Sequence, residues 1–170
     1  MAHSRVQCVA IISQRNAPLY LRNNPEYPSV DAKWYFLAHS ALDMLDERLS
    51  QSTSPYLGLL LSVEDTAIYG FQTSTQLKIL LMLEQSTHDV PDKDISDMFR
   101  AIHAVYMSYM SNPFVNMGAD DLPPNASMDT PRRPTVPPFA SGKDMPVQNG
   151  LFDKRISAIT GWTVPTTSDV

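Results

Sequence analysis

A single cysteine, Cys8, stands in the whole 170-residue chain. With no second thiol, no intrachain disulfide can form, and both disulfide-stapled secreted modules and Cys-rich zinc sites are excluded. Cys8 lies in an apolar run without a cationic neighbourhood, so it reads as a small buried hydrophobe rather than a catalytic thiol. Glycine is scarce too. The six glycines include no GxGxxG or GxxxxGK[ST] arrangement and no G-x-S-x-G elbow, so phosphate-cradling loops and serine hydrolysis are unsupported. Cations are outnumbered, 13 Lys and Arg against 18 Asp and Glu, for a net charge of -5. That balance disfavours nucleic acid and anionic membrane surfaces as partners. No apolar run approaches a bilayer span. The short run after Arg5 is bracketed by Gln7 and Ser13 and reads as a first strand, not a signal sequence. Position 2 is Ala rather than the glycine of myristoylation, no C-terminal prenylation cysteine is present, and the sequon Asn125-Ala126-Ser127 reads as chance. The cytosol is the expected compartment. What remains, 43% apolar and 18% charged residues, fits a soluble acidic domain of α/β or α+β class.

Hydrophobic patterning supplies the elements. Residues 6–12 and 18–22 flank the polar stretch Ser13-Gln14-Arg15-Asn16 and predict a β-hairpin. Pro25 and Pro28 mark a loop. Trp34, Leu37, Ala38, Ala41, Leu45 and Leu49 then recur at helical spacing, with Ser29 or Asp31 as the cap. Three strands are expected at 56–61, 67–73 and 77–83. Their connections are too short for crossovers, so they form an antiparallel meander. The continuous runs Leu59-Leu60-Leu61 and 79–83 predict strands covered on both faces, hence a helical layer on each side of the sheet. A helix over 92–111, started near Pro91 and stopped by Asn112-Pro113, carries Ile95, Met98, Phe99, Ile102, Val105, Tyr106 and Tyr109 at helical spacing. Seven of the 14 prolines fall between 116 and 148, a stretch that reads as a disordered or polyproline-like insertion. Leu151, Phe152, Ile156, Ile159 and Trp162 restore an apolar pattern and predict a short closing helix. The resulting division is a core at 1–115, the insertion at 116–148, a helix at 149–162 that completes the core, and a loose tail at 163–170.

The motifs in this order are those of a family. Cys8-Val9-Ala10-Ile11-Ile12, Pro18-Leu19-Tyr20-Leu21-Arg22, Ala38-His39-Ser40-Ala41-Leu42-Asp43 and Asp46-Glu47-Arg48 lead. Tyr56-Leu57-Gly58-Leu59-Leu60, Glu64-Asp65, Tyr69-Gly70-Phe71, Met98-Phe99-Arg100, Asn112-Pro113-Phe114 and Phe152-Asp153 follow. Together they resemble the sedlin-like small subunits of the TRAPP vesicle-tethering complex. The Tyr56 and Tyr69 segments favour a branch other than sedlin itself. The Pro-rich insertion departs from the compact family pattern, and the link at 50–55 is short for it.

The resemblance implies a longin-like α+β fold: a five-stranded antiparallel sheet with one helix on one face and two on the other. It implies a non-catalytic adaptor subunit, with no cofactor and no small-molecule substrate, whose partners are other small TRAPP subunits. The assembled complex activates Rab-type GTPases in ER–Golgi and Golgi traffic. Membrane contact is then indirect, and the protein is cytoplasmic with peripheral attachment to Golgi membranes. A free longin-like regulator that binds SNARE segments or a small GTPase is the alternative.

Candidate residues concentrate on the first helix. His39 and Asp43 are one turn apart, which admits a metal or general-base reading, but no H-E-x-x-H spacing supports it. The bland reading is the polar flank of an amphipathic helix. The resemblance places this stretch near partner contacts, so His39 and Asp43 are candidate partner-binding residues, with Asp46 and Glu47 as an acidic patch for a basic surface. Asn112-Pro113-Phe114 is read as a helix terminator rather than a peptide ligand. Pro131, Pro134 and Pro137 are read as a spacer rather than a docking motif, because Arg132 and Arg133 fall inside the register. Met98, Met107, Met110 and Met117 are read as packing, although mobile Met surfaces also bind partners.

Overall fold

The computed structural model describes residues 6–25, 31–85, 90–112, 147 and 150–162. The elements run β1 (Val6–Ile12), β2 (Pro18–Asn23), α1 (Asp31–Gln51), β3 (Tyr56–Val63), β4 (Thr66–Gln72), β5 (Lys78–Glu84), α2 (Asp92–Met110) and α3 (Gly150–Thr160). The strands make one antiparallel sheet in the order β2-β1-β5-β4-β3. β1 and β5, the most apolar strands, therefore occupy the middle, and β2 and β3 are the edges.

Strand periodicity divides the core into two layers. On one face Cys8, Ala10, Ile12, Ile68, Leu80 and Met82 meet Trp34, Leu37, Ala41 and Leu45 of α1. On the other, Val9, Ile11, Ile79, Leu81 and Leu83 meet Ile95, Phe99 and Ile102 of α2 and Phe152 and Ile156 of α3. Val6 and Val9 reach the same face because the register shifts between Val6 and Cys8. Rings order the second layer. Phe71 stacks on Phe99 at 5.4 Å, and Phe152 receives Tyr20 at 4.9 Å and Tyr109 at 5.4 Å edge-on. The expected α+β longin-like arrangement, one helix on one face and two on the other, is what the chain forms.

Two glycines of the quoted motifs have specific jobs. Gly70 lies under α1, where a Cβ would meet Leu60 Cδ1 at 2.6 Å and Leu45 Cδ1 at 3.4 Å. Gly58 has φ +73° where the β3–β4 register shifts, a backbone state that L side chains rarely adopt.

The structure corrects some expectations. Leu59-Leu60-Leu61 does not lie on a strand covered on both faces: β3 is an edge, and Leu59 is 43% exposed. β3 also runs on to Val63, so the turn into β4 shrinks to Glu64 and Asp65, with Glu64 at φ +53°. The predicted cap Ser29, the Asp31 side chain, Phe114, residues 116–146 of the proline-rich stretch and the tail 163–170 lie outside the described residues. Val147 is described. It is buried, and its N–H donates to the Leu19 carbonyl of β2 at 2.7 Å. Trp162 closes the second layer, donating its indole N–H to the Val6 carbonyl at 2.6 Å.

Candidate partner-binding surface

α1 presents two faces because its apolar stripe covers only part of its circumference. At about 100° per residue, Trp34, Leu37, Ala38, Ala41, Leu42 and Leu45 fall on the core side and are buried. The opposite arc, roughly 120° wide at that spacing, holds Tyr35, Phe36, His39, Asp43, Asp46 and Glu47, and every one is exposed. Asp43 lies close to the centre of this arc. The four residues singled out from the sequence thus share one outward surface.

Two neighbours change its character. Phe36 is 70% exposed and Tyr35 43% exposed. The N-terminal half of the surface is therefore an aromatic pad, and the C-terminal half is acidic. The pad was missed in the sequence, although Trp34-Tyr35-Phe36 carries the signal: three consecutive aromatics on a helix cannot all face one core. Beside the pad, Tyr35, Ala38, His39 and Leu42 form one wall of a shallow groove whose other wall is Pro18 and Leu21 of edge strand β2.

Asp46 differs from the other three. Its carboxylate accepts from Lys78 Nζ at 2.6 Å, and the same ammonium donates to Asn16 Oδ1 at 2.8 Å. Lys78 is 7% exposed at its side chain and Asp46 51%. The pair is thus half inside the protein, and it ties α1 to β5 and to the β1–β2 turn. Asp46 consequently shapes the surface from within, while His39, Asp43 and Glu47 point their polar groups outward.

On the far side, edge strand β2 is held by α3. Asp153 forms an ion pair with Arg22 and accepts from the Tyr20 hydroxyl at 2.9 Å. Burial, then the charge of Asp153 and the bond to it, push the Tyr20 phenol well above its ordinary range. The other edge is partly covered: Arg48 Nη2 donates to the Leu59 carbonyl at 3.3 Å. Among the described residues no group of three or more His, Cys, Asp and Glu side chains is placed to hold a metal ion. Within those described residues His39 and Asp43 gain no third ligand of that kind, and the arrangement offers surface for association.

The family model for sedlin matches residues 11–122, well over half of the chain. The chain belongs to the sedlin family. Its curated relatives include the trafficking protein particle complex subunit 2-like proteins of Mus musculus and Xenopus tropicalis. These are 35% and 36% identical over 118 residues, spanning 65% of this chain and 84% of the relative. The protein of the same description from Dictyostelium discoideum is 28% identical over 116 residues, 65% of this chain and 82% of its own length. As a sedlin-family member the chain has the fold its motifs implied. No described helix is long and apolar enough to cross a membrane.

Proposed function

We propose that this sedlin-family chain is a non-catalytic adaptor subunit of a TRAPP-type vesicle-tethering complex. The outer flank of α1 is the surface through which it holds a neighbouring small subunit. The observation that carries the reading is the exposed pair Tyr35 and Phe36 beside His39, Asp43 and Glu47. Aromatic residues anchor protein interfaces, and an acidic margin gives register and faster encounter with a basic rim. The relatives named for the trafficking protein particle complex support the choice of partner. An interface of ordinary size, roughly 800 Å² per partner, extends from the α1 flank towards the adjacent sheet edge. The subunit contributes assembly to a Rab-activating complex in ER–Golgi and Golgi traffic. It works in the cytoplasm and meets membranes through the complex.

The test is affinity purification of the tagged full chain at native expression, followed by size exclusion and mass spectrometry. Co-elution with other small TRAPP subunits at high apparent mass is expected, and Asp43→Tyr should weaken it. A lone species of monomer mass would instead indicate a free longin-like regulator. Intact assembly of Asp43→Tyr would remove Asp43 from the interface.

A further inference from the structure

Val147 meets the fold at an edge strand. It is buried in the second core layer, and its N–H donates to the Leu19 carbonyl of β2 at 2.7 Å. β2 offers more than this one acceptor. Along an antiparallel pair, residues that exchange bonds with the partner strand alternate with residues whose backbone groups face the other way. The Asn24 N–H donates to the Gln7 carbonyl at 2.7 Å, and the pairs Val9–Arg22 and Ile11–Tyr20 follow in the same phase. Arg22 and Tyr20 therefore bond to β1. The N–H and C=O of Leu21 face the outer side, in line with the Leu19 carbonyl that Val147 uses. A sheet edge of this kind is a template for one more strand.

The residues that precede Val147 fit the place beside Leu21. Run antiparallel to β2 from Val147, the chain sets Pro146 opposite Tyr20 and Met145 opposite Leu21. In that register Val147 and Met145 aim their N–H groups at β2, and Pro146 takes the position whose N–H would face solvent. Proline is confined to such positions in a sheet. The residue before a proline is biased towards extended backbone, which suits Met145 to a strand. Lys143 and Asp144 precede it, and a short, charged, proline-bearing strand ends a sheet without inviting another chain. The parallel direction fails, because the residues before Val147 would run past Pro18, where β2 begins.

We infer that the β2 edge is a strand-addition site whose occupant is the chain's own segment 143–147, laid antiparallel on β2 as a sixth strand. The opposite edge is obstructed by other means: β3 carries two register shifts, and Arg48 donates to its Leu59 carbonyl. Neither edge is then open to a strand of another protein, and docking falls to side-chain surfaces. The inference goes beyond the adaptor reading and does not depend on it.

The experiment is amide hydrogen exchange of the full chain, followed by NMR at two concentrations and repeated on the assembled complex. The Leu21 amide should exchange about tenfold or more slowly than an open edge amide, equally at both concentrations. Met145→Pro removes a donor aimed at β2 and should raise Leu21 exchange about tenfold, with the Tyr20 and Arg22 amides still protected. Asp144→Pro, at a position whose N–H faces away, should leave Leu21 unchanged. A second measurement is oxidation of Leu21→Cys with Met145→Cys in a Cys8→Ala background. Opposite residues about 5.5 Å apart at Cα can be bridged, so an intrachain disulfide should form in the folded monomer. An unprotected Leu21 amide in the wild-type chain, equal protection in Met145→Pro, or no disulfide would overturn the inference. Protection that grows with concentration would give the edge to a second copy, and protection that arises only in the complex would give it to a neighbouring subunit; either overturns the inference as well. None of these outcomes bears on the recovery of subunits that tests the adaptor reading.

Discussion

Removing the Asp46 carboxylate should destabilise the protein by about 2 kcal/mol, because it strands an ammonium inside the fold. Lys78 Nζ lies 2.6 Å from Asp46 Oδ1 and 2.8 Å from Asn16 Oδ1, and its side chain is only 7% exposed. Breaking a fully buried pair costs about 3–5 kcal/mol, whereas an exposed pair contributes about 0–1 kcal/mol. Asp46 is 51% exposed, so water screens its side of the pair, and Asn16 still accepts from the stranded ammonium. The intermediate figure of about 2 kcal/mol agrees with the loss of one hydrogen bond to a charged group, about 1.5–3 kcal/mol. For a chain of this length that lowers the melting temperature by roughly 4–8 °C. The assay is urea and thermal unfolding of Asp46→Ala, Lys78→Met and the double variant. Lys78→Met removes the buried charge, so the double variant should recover at least 1 kcal/mol relative to additivity. Full additivity, or an Asp46→Ala variant within about 0.5 kcal/mol of wild type, the usual range for a surface substitution, would refute the reasoning.

Two further outcomes follow from the core. The Tyr20 phenol is held above its ordinary range by burial and by Asp153. Above about pH 10 the unfolded chain therefore sheds a proton that the folded chain keeps, and stability, complete below that pH, drains away as pH rises. Tyr20→Phe should lower neutral stability by about 1 kcal/mol and flatten the fall of melting temperature across that alkaline range; identical slopes would contradict the assignment. Gly70→Ala places a methyl 2.6 Å from Leu60 Cδ1 in a buried layer, which should cost about 1–3 kcal/mol by overpacking. Leu60→Val in the same chain should return part of that loss, and no recovery would mean that the strain lies elsewhere.

Most of the architecture could be read from the sequence because burial and periodicity coincide in the central elements. Residues 8–12 of β1 and 79–83 of β5 are unbroken apolar runs because helices cover both their faces, and α1 and α2 show their buried stripes at helical spacing. Leu59-Leu60-Leu61 misled for the same reason. An apolar run at an edge reads like one in the middle, and sheet order is set by long-range pairing that local pattern does not encode. The outward position of His39, Asp43, Asp46 and Glu47 followed from the helical stripe. The Lys78–Asp46–Asn16 clasp did not, because it joins residues 32 and 62 positions apart. Tyr35 and Phe36 were hidden by their chemistry: aromatic residues are usually counted with the core, and only their angle on α1 turns them to solvent.

The central claim, that the aromatic and acidic flank of α1 binds a neighbouring subunit, is tested most directly by charging the pad. Tyr35→Asp with Phe36→Asp alters two exposed side chains and leaves the Trp34, Leu37 and Ala41 contacts of the core in place. The measurement is the amount of each small subunit recovered with the tagged full chain, by quantitative mass spectrometry, with the variant's melting temperature taken alongside. The account predicts at least a tenfold loss of one neighbour, the roughly 1.4 kcal/mol or more expected from removing an aromatic anchor, with little change in melting temperature. Full recovery of every neighbour by a folded variant would contradict it.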